Sequence, residues 1–138
     1  MLMGLLIAAG ALATPESCAC GPVVQGTPAR LAESAWVFLG QLTDRVQAKD
    51  ASAASPARAW GWSYPVKVTR TWKDRRTNRG AVPSVLVLDW CAAEVRVGAW
   101  YVFFADERGT VSRCRPPVPR DEGAKLIREL DAATKEDH

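Results

Sequence analysis

Short apolar runs separated by polar, turn-forming stretches organise this chain. AWVFLGQLTDRVQ (residues 35–47) opens with Trp36, Val37, Phe38 and Leu39 in a row and then alternates through Leu42 and Val46. That pattern predicts a long strand, and Gly40 in its interior predicts a bulge or sharp bend. From Trp60 to Lys73, Tyr64, Val66 and Val68 recur at period two with Lys67 and Arg70 between them, a second strand. SVLVLD (84–89) and AWYVFFAD (99–106) are a third and a fourth. Glu107-Arg108-Gly109 predicts a hairpin turn into a fifth strand, TVSRC (110–114). RPPVP (115–119) cannot continue a central strand, because proline lacks a backbone donor and fixes φ.

Two helices frame the strands. Thr27-Pro28 reads as an N-cap followed by proline at the first helical position. Asp121 is placed to cap a final helix, with Glu122 in its first turn, and Leu126, Ile127 and Leu130 form one apolar stripe. Residues 48–59 are small and polar, and 48–60 reads as a mobile loop; DRRTNRG (74–80) reads as a basic turn and 131–138 as a charged tail. The chain shows no internal repeat. Five strands with uneven connections and a terminal helix predict an all-β fold with helices: a small, closed, five-stranded antiparallel barrel of OB type with a C-terminal packing helix. An immunoglobulin-like sandwich would require about seven short strands.

At 138 residues the chain suits one domain with one core, and its 48% apolar and 24% charged content is ordinary for a globular protein. The net charge of +3 is too small to imply a nucleic-acid partner. MLMGLLIAAGALA (1–13) carries no charge, is too short to span a bilayer, and ends in Ala11-Leu12-Ala13, a small-x-small sequence. It reads as a signal peptide cut before Thr14, with a cut after Gly10 as the second choice. Residues 14–138 are then one exported domain, secreted to the extracellular space or the periplasm, with no transmembrane segment, and expected to be a monomer.

Export changes the meaning of the four cysteines, Cys18, Cys20, Cys91 and Cys114. An even number in an exported domain favours two disulfides. A Cys18–Cys20 bridge would need a strained ring across one residue, which leaves two pairings, both tying the CAC segment to Cys91 and Cys114. Each closes a long loop and contributes about 3–5 kcal/mol in chain-entropy terms. A metal site would require further ligands at zinc spacing, and the one histidine is His138; no metal or cofactor is expected.

No Ser/His/Asp or Cys/His set is present, and Asp89, Glu94, Asp106 and Glu107 fall near strand ends and turns, where solvation is the ordinary fate of a carboxylate. The chain therefore reads as a binding module and not an enzyme. Lys67, Arg70, Lys73, Arg75, Arg76 and Arg79 crowd the second strand and the turn after it, beside Trp62 and Trp72. On a barrel they could form a cationic, aromatic-lined groove for single-stranded nucleic acid, but export argues against that ligand. An anionic polysaccharide or a membrane surface suits the same residues better. Of the six tryptophans (Trp36, Trp60, Trp62, Trp72, Trp90 and Trp100), most are expected in packing, with Trp60 and Trp62 the best placed to meet a partner.

Several pieces stand in a set order along the chain: C-A-C at 18–20, Phe38-Leu39-Gly40, Trp72-Lys73, the run from Cys91 through Gly98 to Tyr101, and Cys114 before prolines. Over roughly residues 18–130 the chain resembles the N-terminal domain of the tissue inhibitors of metalloproteinases. More broadly it resembles the netrin-like OB-fold modules, and most closely their short bacterial exported members. The resemblance implies the pairing Cys18–Cys91 and Cys20–Cys114 and a protein partner, a zinc metalloproteinase. It implies a protease-contacting edge at Cys18, Ala19, Cys20, Gly21 and Pro22. In that family the α-amine and carbonyl of the first cysteine chelate the protease zinc; an α-amine with a pKa of about 8 is partly neutral at neutral pH and can act as a ligand. Here the expected cut leaves Thr14-Pro15-Glu16-Ser17 ahead of Cys18, where the amine is a peptide nitrogen. The alternative reading is a cell-envelope or extracellular adhesion module that binds anionic polysaccharide or protein through the basic strand.

Overall fold

The computed structural model describes residues 20, 26–49, 60–77, 82–88 and 94–135. In chain order these form α1 (Thr27–Glu33), β1 (Trp36–Leu42), β2 (Val46–Lys49), β3 (Trp60–Asp74), β4 (Ser84–Leu88), β5 (Trp100–Ala105), β6 (Val118–Pro119), a 3-10 turn (Arg120–Glu122) and α2 (Ala124–Lys135). The described residues are mostly β: six strands in one antiparallel sheet, with a C-terminal helix.

The period-two run of β3 makes it the spine of that sheet. Its C-terminal half pairs with β1, Leu42 opposite Val66 and Trp36 opposite Asp74. Its N-terminal part pairs with β2, Val46 opposite Ser63 and Lys49 opposite Trp60. By this register β2 continues β1 along the same edge of β3, so the single strand expected over 35–47 is present but broken at residues 43–45. There the Thr43 N–H still donates to Pro65 O (3.0 Å). The bend expected at Gly40 is also found, as register shifts between Val37 and Phe38 and between Leu39 and Gly40. A Cβ at Gly40 would lie 2.9 Å from the Phe38 ring and 3.1 Å from Lys67 O, so the strand can bend here only without a side chain.

β4 pairs with Gly61–Pro65 of β3, and β5 pairs with β1 along its whole length, Trp36 opposite Ala105 and Gln41 opposite Trp100. The expected closed barrel is not formed. Among the described residues, two isolated bridges lie between β4 and β5, Leu86 to Thr110 in parallel and Ala105 to Val111 in antiparallel sense.

The predicted hairpin after β5 exists. Asp106 Oδ1 accepts the N–H groups of Arg108 and Thr110, both at 2.8 Å, and Gly109 takes the positive φ of 81° that the turn demands. The fifth strand expected over 110–114 stops after Val111. The chain turns instead, with Arg115 N–H donating to Ser112 O (3.1 Å) and Cys114 N–H to Ser112 Oγ (3.0 Å). Val118 and Pro119 then add a two-residue strand at the free edge of β5, where a missing donor costs little.

Both helix starts differ from expectation. Gly26 occupies the N-cap position of α1, and Thr27 is the first helical residue. Thr27 is buried, and its hydroxyl donates to Glu129 Oε1 of α2 (2.9 Å) instead of capping its own helix. Asp121 lies in the 3-10 turn ahead of Gly123, and α2 begins at Ala124. α2 runs through Lys135, so residues 131–135 are helix and not tail. The rest of the tail, most of the loop over 48–60 and the signal segment 1–13 lie outside the described residues.

Each face of the sheet buries a core. The inner face holds Trp36, Phe38, Leu42, Tyr64, Val66, Val85, Val87, Tyr101, Phe103, Ala105 and Val111. Trp36 stacks on Phe38 (centroids 4.0 Å apart), Phe38 on Phe103 (5.0 Å), and Tyr101 tilts against Phe103 (5.5 Å). The outer face packs Val37, Val102 and Phe104 under Leu126 and Leu130 of α2, with Ile127 partly buried beside them; this is the predicted apolar stripe.

Candidate functional site

Cys20 and Cys114 form a disulfide that links positions 94 residues apart, with Cα atoms 5.2 Å from each other. Cys114 is set by the Ser112–Arg115 turn that replaces the fifth strand. That turn is braced in its own right, because Arg115 Nη1 donates to Glu33 O at the end of α1 (2.7 Å). The exposed Cys20 is therefore tied to a segment already joined to both sheet and helix. Cys18, Ala19, Gly21 and Pro22 of the expected contact edge lie outside the described residues, as does the Cys18–Cys91 pairing.

The basic strand does not present one continuous surface. Arg76 is folded in: Nε donates to Asp74 Oδ1 (2.8 Å), Nη2 to Asp74 Oδ2 (2.7 Å), and the guanidinium lies 3.7 Å from the Trp36 ring centroid. This is a bidentate pair capping the aromatic stack of the inner core. Arg70 pairs with Asp131 of α2 and lies over Trp72 (5.1 Å). Lys73 Nζ donates to the last carbonyls of α1, Leu31 O (2.8 Å) and Ala32 O (3.2 Å). Burial, and then the nearby Arg75 charge, hold the Lys73 pKa below its usual value. Lys67 and Arg75 are exposed, and neither has an ion pair among the described residues. Arg79 lies outside them. Of this cluster, then, Lys73 and Arg76 are drawn into the fold, Arg70 is exposed but paired with Asp131, and Lys67 and Arg75 are exposed without an ion pair among the described residues.

Two larger concavities among the described residues accompany these surfaces, besides a small one of about 260 Å³ beside Arg70 and Asp131. A cleft of about 790 Å³ lies along the start of β5, with Trp62, Tyr64, Trp100 and Tyr101 on its walls and Glu94, Arg96 and Arg120 among its polar groups. Its aromatic rings are already engaged. Arg45 covers Trp62 (3.9 Å), Arg120 covers Trp100 (4.8 Å), and the Tyr101 hydroxyl accepts the Arg96 N–H (3.0 Å). Trp62, expected to meet a partner, is half-buried against the inner core under Arg45; the Trp60 side chain lies outside what the structure describes. The second concavity, about 750 Å³, is a groove between α1 and α2 floored by Trp72.

The carboxylates considered for chemistry are dispersed. Glu94 and Glu107 are exposed, Asp106 is held in its turn, and Asp89 lies outside the described residues. Among the described residues no three His, Cys, Asp or Glu side chains gather as a metal-binding group, and no helix is long and apolar enough to cross a membrane. Sequence reasoning missed Asp131, which accepts the Trp72 Nε1–H (2.8 Å) and pairs with Arg70. Its position directly after Leu130 in the α2 stripe was the available signal. No protein-family model matches the chain, and no curated protein matches it at a significant level.

Proposed function

We propose that this chain is an exported, disulfide-pinned binding module of OB type that engages a protein through its N-terminal CAC edge. A zinc metalloendopeptidase is the partner to which its resemblance to metalloproteinase inhibitors points. The observation that carries the reading is the Cys20–Cys114 disulfide, the pairing that resemblance implies for the second and fourth cysteines. Pinning that edge by a covalent link lowers the entropy lost when it docks. The strand path supports the OB-type part: β1, β3 and β4 follow one another, and the Thr110–Val111 segment touches β4 in parallel and β5 in antiparallel sense, so the open sheet curls toward itself as a five-stranded, partly open barrel would.

The test is inhibition of a panel of zinc endopeptidases by oxidised protein starting at Thr14 and at Cys18. Dose-dependent inhibition is expected, stronger from Cys18 if the free amine takes part. A panel untouched by both forms ends direct inhibition as the role. The alternative, anionic polysaccharide binding through the basic strand, keeps Lys67 and Arg75 as its exposed cations. It predicts that reversing both to Glu abolishes retention on a sulfated polysaccharide matrix, and unchanged retention removes it.

A further inference from the structure

The groove between α1 and α2 combines an apolar body with a cationic end. Trp72 forms its floor, Leu31 and Ala32 one wall, and Ala132 and Ala133 the other. Its volume of about 750 Å³ falls within the usual span of small-ligand sites. Alanines on both walls keep the helices from filling it with their own side chains.

Lys73 and Arg75 line the same groove, and among the described residues neither has a carboxylate partner. Of the two acidic groups on its lining, only Asp74 is paired with a cation among the described residues, and the exposed Glu129 keeps its charge. Asp74 holds Arg76 through two hydrogen bonds, and Glu129 accepts the Thr27 hydroxyl. Lys73 spends two of its three N–H bonds on the carbonyls of Leu31 and Ala32, which leaves one to offer. Burial and the neighbouring guanidinium both disfavour its charge, so an incoming anion would relieve a cost already present.

From this juxtaposition of an apolar indole-and-alanine channel with two cations that lack an ion pair among the described residues, we infer that the groove binds a small amphipathic monocarboxylate, with its acyl or aryl body on Trp72. The carboxylate lies between the remaining Lys73 N–H and the Arg75 fork, whose planar geometry suits a carboxylate head. None of the lining residues belongs to the CAC edge, so the inference stands independently of endopeptidase binding.

The test uses the oxidised protein in an NMR titration with decanoate, and with decyltrimethylammonium as a charge-reversed probe of the same tail. Decanoate should shift the Trp72 Nε1–H and the Ala132 and Ala133 amides saturably, and the ammonium should not. Arg75→Glu should weaken decanoate by about tenfold or more without lowering the melting temperature, since Arg75 is exposed. Ala133→Leu should fill the channel and abolish the shifts, with its melting temperature checked alongside. Equal binding of the two probes, shifts mapping elsewhere, or an Arg75→Glu affinity equal to wild type would each overturn the assignment. So would a groove that stays silent to decanoate yet is covered by a partner protein. A failed endopeptidase assay would leave this result untouched.

Discussion

The two faces of the sheet hold the molecule together by different means. Inside, aromatic rings stack through the core, with Trp36, Phe38 and Phe103 fully buried. Outside, the apolar core is smaller, and polar ties surround it: Trp72 to Asp131, Thr27 to Glu129, and Lys73 to the end of α1. Apolar packing is dense and unforgiving, whereas a hydrogen-bonded seam between helices can loosen one bond at a time. The difference teaches where adaptability lies: the inner face sets the fold, and the outer face, with its unfilled groove, is where a ligand could be accommodated.

Four experiments would sharpen or break that contrast. The largest effect is expected from Phe103→Ala, which opens a cavity in the middle of the stack and should cost about 3–5 kcal/mol in denaturant unfolding. A loss below about 1 kcal/mol would mean that the inner face is not the stabilising one. Next comes the disulfide. Replacing Cys20 and Cys114 together by Ser should cost about 2–5 kcal/mol, because the bridge closes a long loop in the unfolded chain. The β-sheet circular dichroism should survive this change if the inner core suffices.

Asp131→Ala is expected to cost about 1–2 kcal/mol, since it orphans a half-buried indole N–H on Trp72. Amide exchange should speed up in α2 and leave β1 and β5 protected. Exchange rising equally in all three would show that the outer seam is not separable from the sheet. The smallest effect concerns Lys73. Its folded pKa lies below the unfolded 10.5, so the unfolded state holds more protons between the two values. The charge penalty is therefore fully present below the folded pKa and is relieved as pH rises toward 10.5. Relative to Lys73→Met, the wild type should gain stability over that alkaline window, and a flat or falling difference would contradict the assigned cause.

Much of the sheet was legible in the residues. β3 stands out because apolar positions recur at period two, β4 and β5 because they are short continuous apolar runs, and Gly40 marks its bend because no side chain fits there. The Leu126–Leu130 stripe, at helical spacing, identified the packing helix. What was not legible depended on long-range partners. TVSRC looks extended, yet Ser112 turns the chain with its own hydroxyl and carbonyl, so barrel closure shrinks to two bridges. Thr27 looks like a cap, but its hydroxyl is drawn to Glu129, 102 positions away. The basic run looked like one surface because sequence shows charge and not pairing. Asp74, Asp131 and the end of α1 take up three of its members. The choice of Cys114 as the partner of Cys20 came from resemblance, since counting alone allowed two pairings.

The central claim is that a pinned N-terminal edge does the binding. Its most direct test is to titrate a susceptible zinc endopeptidase with the oxidised protein and with the folded Cys20→Ser/Cys114→Ser variant, side by side. The account predicts inhibition by the oxidised form and a loss of about tenfold or more in the variant, the cost of re-ordering a freed end. Equal inhibition by the two proteins would contradict it.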